Sequence, residues 1–189
     1  MLKIALSGNI ASGKTLVQVY FEKNGIKTLC LDEVTKKIYL QNKEFQEKIF
    51  KIFNTSKKEE IAKTVFNSFE KLKILEKTIY PYIESELQVF FTLNEHEKAV
   101  IVAAPVLFES GFDRRFDKII FVSSEENLRL SRLMKRNGFT EDEAKKRIQS
   151  QEKEENKIKK SDFIIYNNST LNDLYSQCEK LIKELSILL

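Results

Sequence analysis

Eight residues near the start of the sequence, Gly8-Asn9-Ile10-Ala11-Ser12-Gly13-Lys14-Thr15, have the types and spacing of a phosphate-binding loop, G-x-x-x-x-G-K-T. Each type has a chemical reason. The two glycines let the backbone turn tightly enough for successive N–H groups to converge on phosphate oxygens. The N-terminus of a following helix adds the positive end of its dipole. Lys14 is expected to bridge β- and γ-phosphates as a point charge, and the Thr15 hydroxyl to ligate Mg²⁺. Leu16, just beyond, offers only its backbone N–H. The plain structural alternative is a glycine-containing turn between a strand and a helix.

Binding a nucleoside triphosphate is not yet a reaction. Phosphoryl transfer also needs positive charge at the transferring group and a residue that orients the acceptor hydroxyl. Asp32 stands at the C-terminal end of the second apolar run, the edge where open α/β sheets carry their sites. A carboxylate there accepts the acceptor's proton, or helps hold Mg²⁺, or simply caps the helix that Glu33-Val34-Thr35-Lys36-Lys37 begins. Positive charge is concentrated in the stretch 125–160, which contains Arg129, Arg132, Arg136 and Arg147. Spacings of three and four put the first three on one helix face. That face is a solvated surface or, if the stretch folds over the nucleotide, a lid.

The elements that must position these residues follow from apolar periodicity. Runs at 2–7, 26–31, 99–104, 118–123 and 163–166 read as buried strands, with helical patterns between them. Leu16–Lys23 reads as the helix that the loop opens into. An α/β architecture is predicted, with about five mostly parallel strands and helices on both faces. The longest gap, 32–98, is helical throughout and has the place of a substrate-binding insert. The chain has 189 residues, 42% of them hydrophobic, with two prolines and five glycines. That suits one ordered domain with a real core. A net charge of +4 from 32 basic and 28 acidic residues suits an anionic ligand and gives no argument for nucleic acid. No segment has the length of a membrane span. Two isolated cysteines, Cys30 and Cys178, with no secretory leader point to a reducing, cytoplasmic setting and no zinc site. The single histidine, His96, lies in a polar loop.

Further motifs follow in order. Leu31-Asp32 comes after the second strand, then Tyr80-Pro81 in the helical region and Pro105-Val106-Leu107-Phe108-Glu109 after the third strand. Arg132-Leu133-Met134-Lys135-Arg136 leads to Ala144-Lys145-Lys146-Arg147-Ile148-Gln149-Ser150-Gln151. The series closes with Ser161-Asp162-Phe163-Ile164-Ile165-Tyr166-Asn167. In order and spacing this series resembles the dephospho-coenzyme A kinase family along nearly the whole chain. The resemblance implies a P-loop nucleoside triphosphate hydrolase fold. Its core would be about 1–31, 99–124 and 161–189, with an acceptor-binding insert at about 32–98 and a lid at about 125–160. The implied reaction is ATP-dependent phosphorylation of the ribose 3′-hydroxyl of dephospho-coenzyme A, with Mg²⁺. By the same resemblance Asp32 is the candidate base, and Arg132, Arg136 and Arg147 contact phosphates from the lid. Asn167 is placed near the adenine. Tyr80, Pro81, Leu107, Phe108 and Glu109 line the acceptor side, with core packing as the alternative for Leu107 and Phe108.

The sequence departs from the family pattern at four places. Cys30 stands where an Asp is usual, Tyr80 where a His is usual, and Ala103 where an Asp is frequent. Phe53-Asn54 replaces a Phe-Gly pair, with Lys58 where an Arg would fall. Mg²⁺ would then rest on Thr15, Asp32, water and the phosphates. A kinase of another small acceptor, such as a nucleoside monophosphate or shikimate, shares the loop and the arginines but not the motifs at 105–109 and 161–167. A non-catalytic ATP-binding switch is the alternative from outside the enzymes.

Overall fold

The computed structural model describes residues 1–66 and 68–188. Its five strands lie in the order β2-β3-β1-β4-β5. The first strand, β1 (Leu2–Gly8), is central and runs parallel to both β3 (Ala99–Ala103) and β4 (Lys118–Ser123). On one flank β5 (Phe163–Tyr166) runs parallel to β4. On the other, β2 (Lys27–Cys30) neighbours β3. A strand with neighbours on both sides and layers on both faces must be apolar throughout, and Ile4, Ala5 and Leu6 are all fully buried.

Alternation along the strands divides the core. Ile4, Leu6, Ile101, Ala103, Ile120, Val122 and Ile165 form one cluster with Val17 and Phe21 of α1 (Lys14–Lys23). Leu174, Cys178, Leu181 and Leu185 of α9 (Leu171–Leu188) complete it. The helical spacing of those four residues is what lets α9 lie along the sheet. Phe121 and Ser123 face the opposite way, toward α8 (Glu154–Lys159), so helices cover both faces. The stretch before α8 forms α6 (Glu126–Asn137) and α7 (Glu141–Gln149), separated by a left-handed Gly138 and a Thr140/Glu143 capping box.

Two compact units make up the chain, 1–29 together with 94–189, and 30–93. The second is entirely helical: α2 (Leu31–Gln41), α3 (Lys43–Phe53), α4 (Lys58–Phe66) and α5 (Phe69–Leu93). The long α5 packs against the other three, burying Ile79, Ile83, Leu87 and Phe91 at four-residue spacing. Asn42 caps α3 by accepting the Phe45 N–H at 2.9 Å. At the other end Asn54 is left-handed, with φ 56°. This explains the replaced Phe-Gly pair, since asparagine tolerates that conformation better than other side chains.

Three of the five strands differ from the sequence reading at their ends, and the second differs most. The second run reads as a strand through Leu31, but β2 ends at Cys30 and Leu31 begins α2. Leu31, Val34 and Ile38 are buried at helical spacing, and this burial takes Leu31 into the helix. Leu2–Gly8 and Ala99–Ala103 each differ from the expected run by one residue, while 118–123 and 163–166 match.

Candidate active site

The phosphate loop leaves β1 at Gly8, where the backbone passes Ser12 and Val122 closely. A Cβ on Gly8 would lie 2.6 Å from Ser12 Oγ and 2.8 Å from the Val122 carbonyl. Ala11 (φ 61°) and Gly13 (φ 97°) are both left-handed, which turns successive N–H groups inward. The Asn9 carbonyl accepts the Ser12 N–H at 3.1 Å, closing the turn. The N–H groups of Ala11, Gly13 and Thr15 meet no acceptor among the described residues. Ser12 Oγ is buried and likewise without a partner. An uncommitted row of donors with a buried orphan hydroxyl at a helix start fits a polyphosphate. The Leu16 N–H donates to the Gly13 carbonyl at 2.9 Å, completing the first turn of α1.

Distant residues hold this loop in shape. Asn167, buried just past β5, donates its side-chain N–H to the Ser12 carbonyl at 2.7 Å. Its own backbone carbonyl accepts from Ser124 Oγ and from Arg132, each at 2.9 Å. Arg132 also donates to Ser124 Oγ at 2.9 Å. The family resemblance places Asn167 near the adenine; here its amide braces the loop, and Arg132 braces Asn167. Gln151, ahead of α8, accepts the Ile10 N–H at 2.7 Å. Ile10 and Ala11 pack against Leu133, Ala144 and Ile148 of α6 and α7.

The three arginines expected on one face have graded environments. Arg129 is 5% exposed, donates to the Ser124 carbonyl at 3.0 Å and approaches Glu154 at 3.9 Å. Arg132 is half-buried. Arg136 is exposed, its Nε donating to Asn137 at 2.9 Å. Arg147 is also exposed and lies 4.4 Å from the centre of the Phe139 ring. Lys14 and Thr15 open α1, with Thr15 exposed. No group of three or more His, Cys, Asp or Glu side chains able to hold a metal occurs among the described residues. Ala103, where a carboxylate is frequent in the family, is fully buried in the apolar cluster under the sheet.

Among the acceptor-side residues, Leu107 is fully buried, which is core packing. Phe108 is half-buried, with the Lys160 ammonium 5.5 Å from its ring centre. Glu109 accepts from Lys157 at 2.6 Å. Asp32, Tyr80 and Pro81 lie in the second unit. Asp32 is exposed in the first turn of α2, two residues beyond where a cap would sit. The cap position belongs to Cys30, which makes no side-chain capping bond, so the capping alternative for Asp32 does not hold. Tyr80 is half-buried, and burial together with nearby Glu76 pushes its phenol up to about 12. Pro81 is exposed on α5. Residues the sequence did not single out are Glu154 and Lys157. Their spacing of three shares a helix face, but nothing in a charge-rich run marks Lys157 as buried.

A phosphate loop that ends the central strand of a β2-β3-β1-β4-β5 sheet, under arginine-bearing helices, defines the class as a P-loop kinase. The particular family comes from comparison over the whole chain. Residues 2–173 match the family model described as dephospho-CoA kinase, and the chain belongs to that family. It is 35% identical over 187 residues to the dephospho-CoA kinase of Fusobacterium nucleatum, covering 94% of this chain and 95% of the relative. It is similar to the solved dephospho-CoA kinase from Campylobacter jejuni, with a TM-score of 0.72 at 32% identity over 97% and 96% of the two chains. A solved Thermus thermophilus protein superposes with a TM-score of 0.86 at 27% identity, over 97% of each chain.

Proposed function

We propose that this chain transfers the γ-phosphate of ATP to the ribose 3′-hydroxyl of dephospho-coenzyme A, giving coenzyme A and ADP, the last step of coenzyme A synthesis. The observation that carries the reading is an uncommitted donor loop in a chain matched to the family along nearly its whole length. The loop N–H groups and Lys14 hold the phosphates and stabilise charge as it spreads over the transferring group. Thr15 and Asp32, with the phosphates and water, would hold Mg²⁺, which would supply positive charge to the transferring phosphate. Asp32 takes the proton of the 3′-hydroxyl as that oxygen bonds to the γ-phosphorus and the bond to ADP breaks. The resemblance assigns Tyr80 and Pro81, and also Phe108 and Glu109, to the acceptor, and Arg136 and Arg147 to the phosphates. Both cysteines are free and no described helix is long and apolar enough to cross a membrane, in keeping with a cytoplasmic setting.

The test is a coupled ADP-release assay with Mg-ATP and dephospho-coenzyme A, run beside AMP, CMP and shikimate. Turnover with dephospho-coenzyme A alone supports the reading. Turnover with another acceptor reassigns the substrate, and ATP binding with no turnover on any acceptor makes the chain a switch.

A further inference from the structure

Lys157 is 1% exposed, which is unusual for an ammonium group and unfavourable unless its charge is paired. Its partners are Glu109 at 2.6 Å and the Asn9 side-chain carbonyl at 3.0 Å. Glu109 is partly exposed, and a lysine can pair with such a carboxylate while keeping its own charge in water. What burial adds is the bond to Asn9, the residue that follows Gly8 in the phosphate loop. The other end of the same amide donates to Glu154 at 3.4 Å. With a donor fixed at one end and an acceptor at the other, the amide has one orientation. Glu154 is in turn held by Ser123 Oγ at 2.5 Å and approached by Arg129.

We propose that α8 is a brace for the first half of the phosphate loop, and that Lys157 is its positioning residue. The Asn9 carbonyl closes the loop on Ser12, so fixing Asn9 fixes the direction in which the Ala11 and Gly13 N–H groups point. Gln151 adds a second anchor, on the Ile10 N–H, from the same segment. Asn167 performs the equivalent task for the second half of the loop. The brace carries two basic and two acidic side chains, so it shapes the loop without adding net charge that would repel phosphate. It acts on nucleotide affinity, through Asn9, rather than on the transferring atoms.

The inference rests on the loop binding nucleotide, so the primary readout is MgADP affinity by calorimetry. Lys157→Met keeps the stem and removes the charged donor. Its MgADP Kd should rise about tenfold or more, the effect of losing one charge-assisted hydrogen bond. The KM for ATP should rise in parallel while kcat changes little, the sign of lost ground-state positioning. Asn9→Ala should give a similar rise, and adding Lys157→Met to Asn9→Ala should raise Kd no further, because Lys157 acts through Asn9. A merely structural lysine would lower the melting temperature and leave Kd and KM where they were, which overturns the brace. Should Lys157→Met not fold, Asn9→Ala decides alone: unchanged MgADP affinity overturns the inference. Wild-type protein that binds no MgADP overturns the nucleotide reading itself, a different result from tight binding by both proteins.

Discussion

Replacing Gly13 with alanine tests whether the phosphate loop is held from β5. At φ 97° an L side chain is strained, at roughly 1–2 kcal/mol. A Cβ there would also collide with the Asn167 side-chain nitrogen. That nitrogen donates to the Ser12 carbonyl, and both groups are buried. Displacing it leaves a donor and an acceptor unpaired, worth about 1–3 kcal/mol. The sum is roughly 3 kcal/mol, or about 6–12 °C in melting temperature for a chain of this length. Gly25 is the control: its φ is 86°, but nothing lies within 4 Å of an added Cβ. Gly25→Ala should therefore cost the strain alone. Denaturant unfolding of the two variants isolates the collision as their difference. In an Asn167→Ala background the collision disappears, and Gly13→Ala should then cost no more than Gly25→Ala. Equal costs for the two glycines in the wild-type background would refute the brace from Asn167.

Lys14→Ala should abolish phosphoryl transfer while leaving the fold intact, since one phosphate-bridging charge is worth several kcal/mol in the transition state; more than about a tenth of the rate remaining would contradict its role. Asp32→Asn should lower kcat far more than it raises the KM for ATP, and a pure KM effect would remove Asp32 from proton transfer. Burial holds the Cys178 thiol up at about 11, from its ordinary 9.0, and the Tyr39 and Tyr80 phenols up at about 12, from 10.0. All three bind their protons more tightly folded than unfolded, so their contribution is complete below pH 9 and falls as pH rises to about 12. Melting temperature followed from pH 8 upward should drop across that range, and Cys178→Ala should flatten the lower part of the slope.

Much of the fold is legible because it is local. A run such as Ile119-Ile120-Phe121-Val122 is a buried strand wherever it falls, and the loop pattern needs only its flanking strand and helix. Leu31 shows the limit: a residue between two elements is assigned by which neighbours bury it. The site is less legible. Asn9 occupies a variable position of the loop motif, yet its side chain is held at both ends by α8. Lys157 sits among Lys153, Lys159 and Lys160, which are all exposed, and burial alone sets it apart. Arg129, Arg132 and Arg136 share a helix stripe, but their exposure increases along it as Ser124, Glu154 and Asn167 are left behind.

The amino-acid sequence by itself therefore determined the phosphate loop, the strands and helices, and the family, since each depends on residue type, spacing and order along the chain. Tertiary structure alone decided which residues hold the loop open. Asn167 reaches Ser12 across 155 positions and Lys157 reaches Asn9 across 148. Such bonds exist because strand order places β5 and α8 beside the loop, and hydrogen bonds are set by distances of about 3 Å in space rather than by separation along the chain.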